Sequence, residues 1–387
     1  MSGRPGASPG LDRTLYRKPN SQWRYHPPLA SPILRAAGCG RGRVLPVAGL
    51  PHDSGRPSPV IISLDMFRGC TMFNFLGLIL LITTAVLLSW ASLRAWRTKN
   101  NFLKWGGAGL AALLSAAFTL VSVVALVGLV KLHARSAPAP DLKVAGTPEQ
   151  IRRGQDISNG FCSACHSKTG TLTGGLDVGE DFPVPIGSFV SSNLTPAGQL
   201  SHWSDGDIFR AIRNGVDKDE RWLIIMSYTN SGKLSDDDTR AVIAYIRSLP
   251  AAGKQTENPP DHLNLLGVVM LGAGMLPRGK PVFTGIVTAP PKSPALQYGE
   301  YILSYQDCRA CHGDKLTGGV LGQLGPLGPD LGLVKGWKLE EFITTMRTGI
   351  DPNGHQLSER MPWRPVGRMG DEELHAVYEY LTHLPGS

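Results

Sequence analysis

The sequence predicts an all-α protein in which two small helical units stand in tandem behind an N-terminal hairpin of apolar helices. Three observations predict it. Two long uncharged apolar runs lie close together before residue 136, a CxxCH motif occurs twice, and the text around one motif repeats around the other at a nearly constant offset.

Charge divides the chain. Residues 1–136 hold 16 Lys+Arg against 3 Asp+Glu, whereas residues 137–387 hold 23 against 28, so the overall +8 is a property of the N-terminal region. The remainder is mildly acidic and offers no surface for nucleic acid. Residues 1–65 are rich in Pro, Gly and Arg without an apolar period and read as a disordered basic extension. Met66 and Met72 each stand just before a hydrophobic segment, and translation is expected to begin at one of them, which makes 1–65 a misassigned start. A genuine disordered tail is the alternative.

Residues 66–136 carry the two apolar runs. "MFNFLGLILLITTAVLLSWASL" (72–93) and "GGAGLAALLSAAFTLVSVVALVGLV" (106–130) contain no charged residue, and each is long enough to cross a ~30 Å hydrocarbon core as a helix. The first is too long for a cleaved signal sequence and lacks a small-residue cleavage site, so both read as retained spans. Arg94, Arg97, Lys99 and Lys104 crowd the loop between them, and such a loop stays in the cytoplasm. Everything after Lys131 is then expected on the extracytoplasmic side of the membrane.

Helix-start signals open each unit: Thr147, Pro148 and Gln150 in the first, Ser293 and Pro294 in the second. The units are expected over 147–250 and 293–387, joined by a Pro-rich linker over 251–292. Their closing segments, "LSDDDTRAVIAYIRSLP" (234–250) and "MGDEELHAVYEYLTHLP" (369–385), align without a gap at an offset of 135 and read as amphipathic helices with acidic first turns. Met226 and Met361 share that offset, while Trp203 with Trp337, Arg213 with Arg347 and Gly215 with Gly349 stand 134 apart. Within the linker, "LNLLGVVMLGAGML" (263–276) is apolar but too short to span a bilayer, and it reads as a buried segment.

"CSACH" (Cys162, Cys165, His166) and "CRACH" (Cys308, Cys311, His312) hold four of the six cysteines. By composition alone a CxxCH run is expected about twice in a thousand such sequences, so two at equivalent places are not accidental. A thioredoxin-like pair would need a βαβ context, and a zinc site would need a further Cys or His pair at close spacing. Neither is present. Covalent haem attachment uses all three residues of the motif: two thiols add to the porphyrin vinyl groups and the histidine binds the iron. Two covalently bound haem c groups are therefore expected. Methionine is the natural sixth ligand for electron transfer. Met226 stands alone between the first motif and its closing helix, whereas Met346, Met361 and Met369 compete in the second.

"SNLTP" (192–196), "HWSDGDIFRAIRNGVDKDERWLIIMSYT" (202–229), "GPDL" (328–331) and "GWKLEEFITTMRTGIDPNGHQLSERMPW" (336–363) make the chain similar to class I c-type cytochromes. More narrowly it resembles the multihaem cytochrome subunits of membrane-bound bacterial alcohol and gluconate dehydrogenases. The resemblance covers about residues 147–250 and 293–385. It implies two tandem class I cytochrome c domains, each with crossing first and last helices around one haem. It places Met226 and Met361 on the irons, brings Trp203, Arg213, Trp337 and Arg347 to the haem propionates, and sets the Pro329 carbonyl on His312. In the first unit Pro183 and Pro185 compete for that last role. The chain departs from those subunits in having two motifs rather than three and an N-terminal hairpin. It also has Ser227 where the family has proline after the methionine, so the Met226–iron bond is expected to be the more labile.

The function these features imply is a membrane-anchored dihaem electron relay, not an enzyme. The expected donor is a dehydrogenase or quinol-oxidising complex, and the expected acceptor another cytochrome or a terminal oxidase. A dihaem peroxidase or oxidase is the enzymatic alternative, and a methionine available to both irons argues against it. A cytochrome c subunit of a haem-copper oxidase is the third reading.

Overall fold

A computed structural model describes residues 70–384, apart from 168, 169, 322, 324 and 325. The expectation for residues 1–65 lies outside the described residues.

The described chain is mostly helical and opens with the two apolar helices, α1 (Cys70–Trp96) and α2 (Ala108–His133), the second entered through a wide π-turn at Leu103–Gly107. Both are long and apolar enough to cross a membrane. Small hydroxyls join them: Ser89 Oγ lies 2.7 Å from Ser115 Oγ, Ser115 Oγ donates to the Ala85 carbonyl and Ser92 Oγ to that of Ala108. Small polar residues at a helix–helix seam are what association without a hydrophobic driving force requires. The outer faces are apolar and exposed, as at Leu80, Val86 and Leu113.

The first repeat begins at α3 (Pro148–Ile157), where Thr147 and Gln150 form the expected capping box. A π-turn, Ser158–Cys162, carries α3 into α4 (Ser163–His166). A short strand, β1 (Gly187–Phe189), follows. Then come α5 (Asp205–Asn214), ended by Gly215 in the left-handed region at φ 61°, the single turn α6 (Ile224–Tyr228), and α7 (Asp236–Ser248) with three aspartates in its first turn.

Residues 251–292, expected as a linker, do more than connect. β2 (Asp261–Leu263) pairs antiparallel with β1, and α8 (Leu265–Gly272) packs on α2.

The second repeat follows the same plan: α9 (Ala295–Tyr305), α10 (Cys308–His312), α11 (Leu339–Thr348) ending at Gly349 with φ 73°, α12 (Trp363–Val366) and α13 (Asp371–Thr382). Its first and last helices cross as those of the first repeat do, and by the same device. α3 meets α7 and α9 meets α13 through glycines, Gly154 against the Ala241 carbonyl and Gly299 against that of Ala376. Ala241 and Ala376 stand 135 residues apart, so the repeat seen in the text is a repeated helix crossing. A Cβ on either glycine would overlap the facing carbonyl oxygen.

The repeats share one apolar core. A single cluster runs from Ile157, Trp203 and Ile243 of the first through Tyr301, Ile302 and Leu374 of the second. At ~1.5–3 kcal/mol for each large side chain fully buried, this continuity outweighs what a flexible joint would leave. Polar contacts reinforce the seam. Arg153 pairs with Asp238 of its own repeat at 2.7 Å and with Glu373 of the other at 2.7 Å, and Tyr301 donates to Asp238 at 2.6 Å.

Candidate functional site

Each CxxCH motif ends a short helix, and in each the histidine ring is oriented by a backbone carbonyl. His312 Nδ1–H donates to the Pro329 carbonyl at 2.7 Å, the contact the sequence anticipates. His166 Nδ1–H donates at 2.8 Å to the carbonyl of Ser192, not to Pro183 or Pro185. The correction has a physical reason: Ser192 belongs to "SNLTP", a segment held by Asn193, whose amide nitrogen donates to Ala252 and Lys254 carbonyls at 2.8 and 3.0 Å. In both sites the Nδ1 bond fixes the tautomer that leaves Nε2 as a lone-pair donor. Burial also lowers the His166 pKa, which favours the neutral ring.

The four motif thiols are free and partly buried. Burial pushes Cys162 up to about 11 and Cys308 up to about 12, and it raises Cys165 and Cys311 as well. The direction is opposite to the lowered thiol pKa that a redox-active CxxC pair uses. Nor does any group of three or more Cys, His, Asp or Glu converge as a metal cage among the described residues.

The two motifs are neighbours. Asp307, just before Cys308, raises the pKa of Cys165 in the first motif as well as those of Cys308 and Cys311. It also accepts from the Asn230 backbone N–H at 3.0 Å and side-chain amide at 2.7 Å. Phe161, next to Cys162, meets Tyr305 edge-to-face with centroids 5.9 Å apart.

Of the candidate methionines, Met226 on α6 and Met361 before α12 are half-buried against the core. Met346 and Met369 are 7% and 4% exposed, and the Met369 sulfur accepts from Gln306 Nε2 at 3.6 Å. Both belong to the apolar core itself.

The loop of Met226 is tethered at Ser227. Ser227 is 4% exposed; its hydroxyl accepts from Trp222 Nε1 at 2.7 Å and donates to the Ile224 carbonyl at 2.7 Å. Its own carbonyl accepts from the Lys280 backbone N–H at 2.9 Å. Asp261 caps α6 by accepting the Ile224 N–H. The loop therefore has tethers in place of the proline ring that stiffens the second copy, where Pro362 is exposed. Two of these partners, Asp261 and Lys280, stand 34 and 53 residues downstream of Ser227, beyond any local window of sequence.

The paired arginines have equivalent partners. Arg213 donates to the Gly232 carbonyl and pairs with Asp236 at 2.8 Å, while Arg347 donates to the Gly367 carbonyl and pairs with Asp371 at 2.7 Å. Each ties the helix after the tryptophan to the start of the closing helix. Trp203 is 5% exposed with its Nε1–H unpartnered, and the Arg213 Nε–H is likewise buried and unpartnered. Trp337 is half-buried. Trp363 is not marked out by the sequence repeat, yet its Nε1–H is also buried without a partner. Its place two residues after Met361 is the available signal.

Residues 149–246 and 294–381 match the family described as "Cytochrome C oxidase, cbb3-type, subunit III". The chain is 26% identical to a nicotinate dehydrogenase component of Pseudomonas putida over 73% of its own length and 25% of that protein. It is 29% identical to the cytochrome c subunit of alcohol dehydrogenase (quinone) of Gluconobacter oxydans over 23% of its length and 21% of the relative. It is 31% identical to the gluconate 2-dehydrogenase cytochrome c subunit of Pantoea cypripedii over 22% of each. The chain thus spans a quarter or less of each relative's length. Helical architecture, paired CxxCH sites and these matches support one class: the chain resembles class I c-type cytochromes, haem-bearing electron-transport proteins. Within that class it resembles the cytochrome c subunits of bacterial alcohol and gluconate dehydrogenases.

Proposed function

We infer that the chain is a membrane-anchored electron relay with one haem c in each of two tandem cytochrome c domains, residues 147–250 and 293–387. The observation that carries this is the doubled arrangement of a CxxCH motif with a histidine whose Nδ1 is held by a carbonyl. The residues fit the group: buried neutral thiols for the vinyl carbons, free Nε2 atoms for the irons, and orphaned buried N–H donors for the anionic propionates. Cys162 and Cys165 hold the first haem with His166 and Met226 as axial ligands; Cys308 and Cys311 hold the second with His312 and Met361. Trp203 and the free Arg213 Nε–H are assigned to the first haem's propionates. Trp337 and Arg347 take the equivalent role by repeat, with Trp363 as a further donor.

The bound haems supply one-electron oxidation and reduction of iron. The protein supplies two strong-field ligands per iron, a core that excludes water, and a seam that keeps the two sites at a fixed separation. The hairpin spans the cytoplasmic membrane with its basic loop inside, and the haem domains stand on the periplasmic side. Arg94 over Trp90 and Lys104 over Trp96 concentrate cations and indoles at that loop, the pattern of a membrane–water boundary. The names of the relatives support a dehydrogenase as donor, with another cytochrome or a terminal oxidase as acceptor. The family match itself supports a second reading, a cytochrome c subunit of a haem-copper oxidase.

Mild-detergent purification followed by mass spectrometry of accompanying subunits tests the partner. A co-purifying flavin- or quinone-dependent dehydrogenase is the expected result, and oxidase subunits would establish the second reading instead.

A further inference from the structure

The apolar segment 263–276 reads from sequence as a buried stretch. The structure gives it one buried face and one bare one. α8 lies against the end of α2: Gly128 takes the backbone of Val268 and Gly272 that of Val124, both so close that no Cβ fits between. Gly77 of α1 meets the Leu265 side chain. Val268 and Leu271 are buried in a cluster with Leu78, Ala125 and Leu129 of the hairpin. Met275, at 68% exposed, and Leu266, at 46%, face outward, and residues 263–277 contain no charge.

Depth follows from register. Gly272 sits beside Val124, seven residues before Lys131, and at 1.5 Å per residue that is roughly 10 Å back along the span. Several end groups of α8 are closed by side chains, as a hydrocarbon setting favours. Lys131 Nζ donates to the Leu271 and Gly272 carbonyls at 3.1 and 2.9 Å, the Asn74 amide donates to the Leu263 carbonyl at 2.7 Å, and Asn264 accepts the Gly267 N–H at 3.0 Å. Two of those side chains come from the apolar helices themselves.

We propose that residues 263–276 form a re-entrant membrane element, with Leu266 and Met275 bathed in acyl chains of the outer leaflet beside the hairpin. This rests on the reading of α1 and α2 as membrane spans. Its consequence is orientation. The same apolar cluster includes Trp222 and Ile224, and Ile225 and Tyr228 pack against it, so the α6 turn that carries Met226 is held directly over the hairpin. The first repeat then faces the membrane through this turn.

Single cysteines test this in the full chain, with Cys39→Ser and Cys70→Ser as background and mass spectrometry reading label at the substituted position. Leu266→Cys and Met275→Cys report; Val86→Cys is the lipid control and Asp237→Cys the water control. All are labelled with a membrane-impermeant charged maleimide, in native membranes and as purified protein in nanodiscs. The expected result is labelling of both reporters at least ~10-fold slower than Asp237→Cys in both preparations, because an acyl environment excludes the charged reagent and disfavours the thiolate. Labelling at the Asp237→Cys rate overturns the proposal while a slow Val86→Cys leaves the spans intact. Protection in native membranes alone assigns the face to a protein partner and overturns it too. Fast labelling of Val86→Cys removes the spans and the proposal together.

Discussion

Met226 and Met361 look alike in the sequence, and their neighbours set them apart. With Ser227 tied to Trp222, Ile224 and Lys280, and α6 capped by Asp261, the first loop is fixed by hydrogen bonds from three segments. Ser227→Ala leaves the buried Trp222 Nε1–H unpaired and is expected to cost ~1–3 kcal/mol in denaturant unfolding. Its haem signature should be a weakened methionine–iron charge-transfer band. Met226→His is expected to lower the first haem's potential in a spectroelectrochemical titration and to leave the second's nearly unchanged, since imidazole replaces thioether on one iron only. Asp261 gives a pH dependence. Burial pushes its carboxyl up to about 7, so between about pH 4 and 7 the native chain holds a proton that the unfolded chain releases. That contribution is present at low pH and is lost as pH rises through 7. Unfolding midpoints measured across this window should fall with pH in the native chain and flatten in Asp261→Asn.

At the scale of elements, the helix crossings are the most demanding contacts. Gly154→Ala and Gly299→Ala each drive a methyl into a facing carbonyl, and each is expected to destabilise by ~3 kcal/mol or more, beyond ordinary overpacking, because backbone must move. Thermal unfolding monitored by far-UV circular dichroism should show comparable losses for the two. The seam between repeats rests on Arg153, whose guanidinium answers Asp238 and Glu373 together, with side-chain exposures of 18%, 10% and 7%. Arg153→Ala strands two carboxylates in the core, at an expected ~3–5 kcal/mol.

What can be read in advance divides at this scale. The helix starts at Thr147 and Pro294, the closing helices α7 and α13, and the apolar pair α1 and α2 are written in local spacing, caps and charge. The CxxCH motifs are local too, and one orienting carbonyl, Pro329, is legible because its segment has a familiar text. Ser192, the bond from Lys280 to the Ser227 carbonyl, the shared core and the pairing of β2 with β1 depend on contacts between residues far apart in the chain, which no window of sequence contains. The apolar run at 263–276 is visible, but which face it buries is decided by two glycines in other helices, Gly77 and Gly128.

For the whole molecule, the proposed function makes the two sites a pair held by the seam and anchored by the hairpin. Phe161 against Tyr305, and Asn230 hydrogen-bonded to Asp307, tie the first repeat to the attachment segment of the second across that seam. The account stands on the premise that each CxxCH motif carries its own haem. Mass spectrometry of the intact denatured chain tests it most directly, because thioether-bound haem survives unfolding while haem held by axial ligation alone does not. The account predicts a mass increased by two haems, falling to one in Cys308→Ala/Cys311→Ala. A chain bearing one haem or none would contradict it.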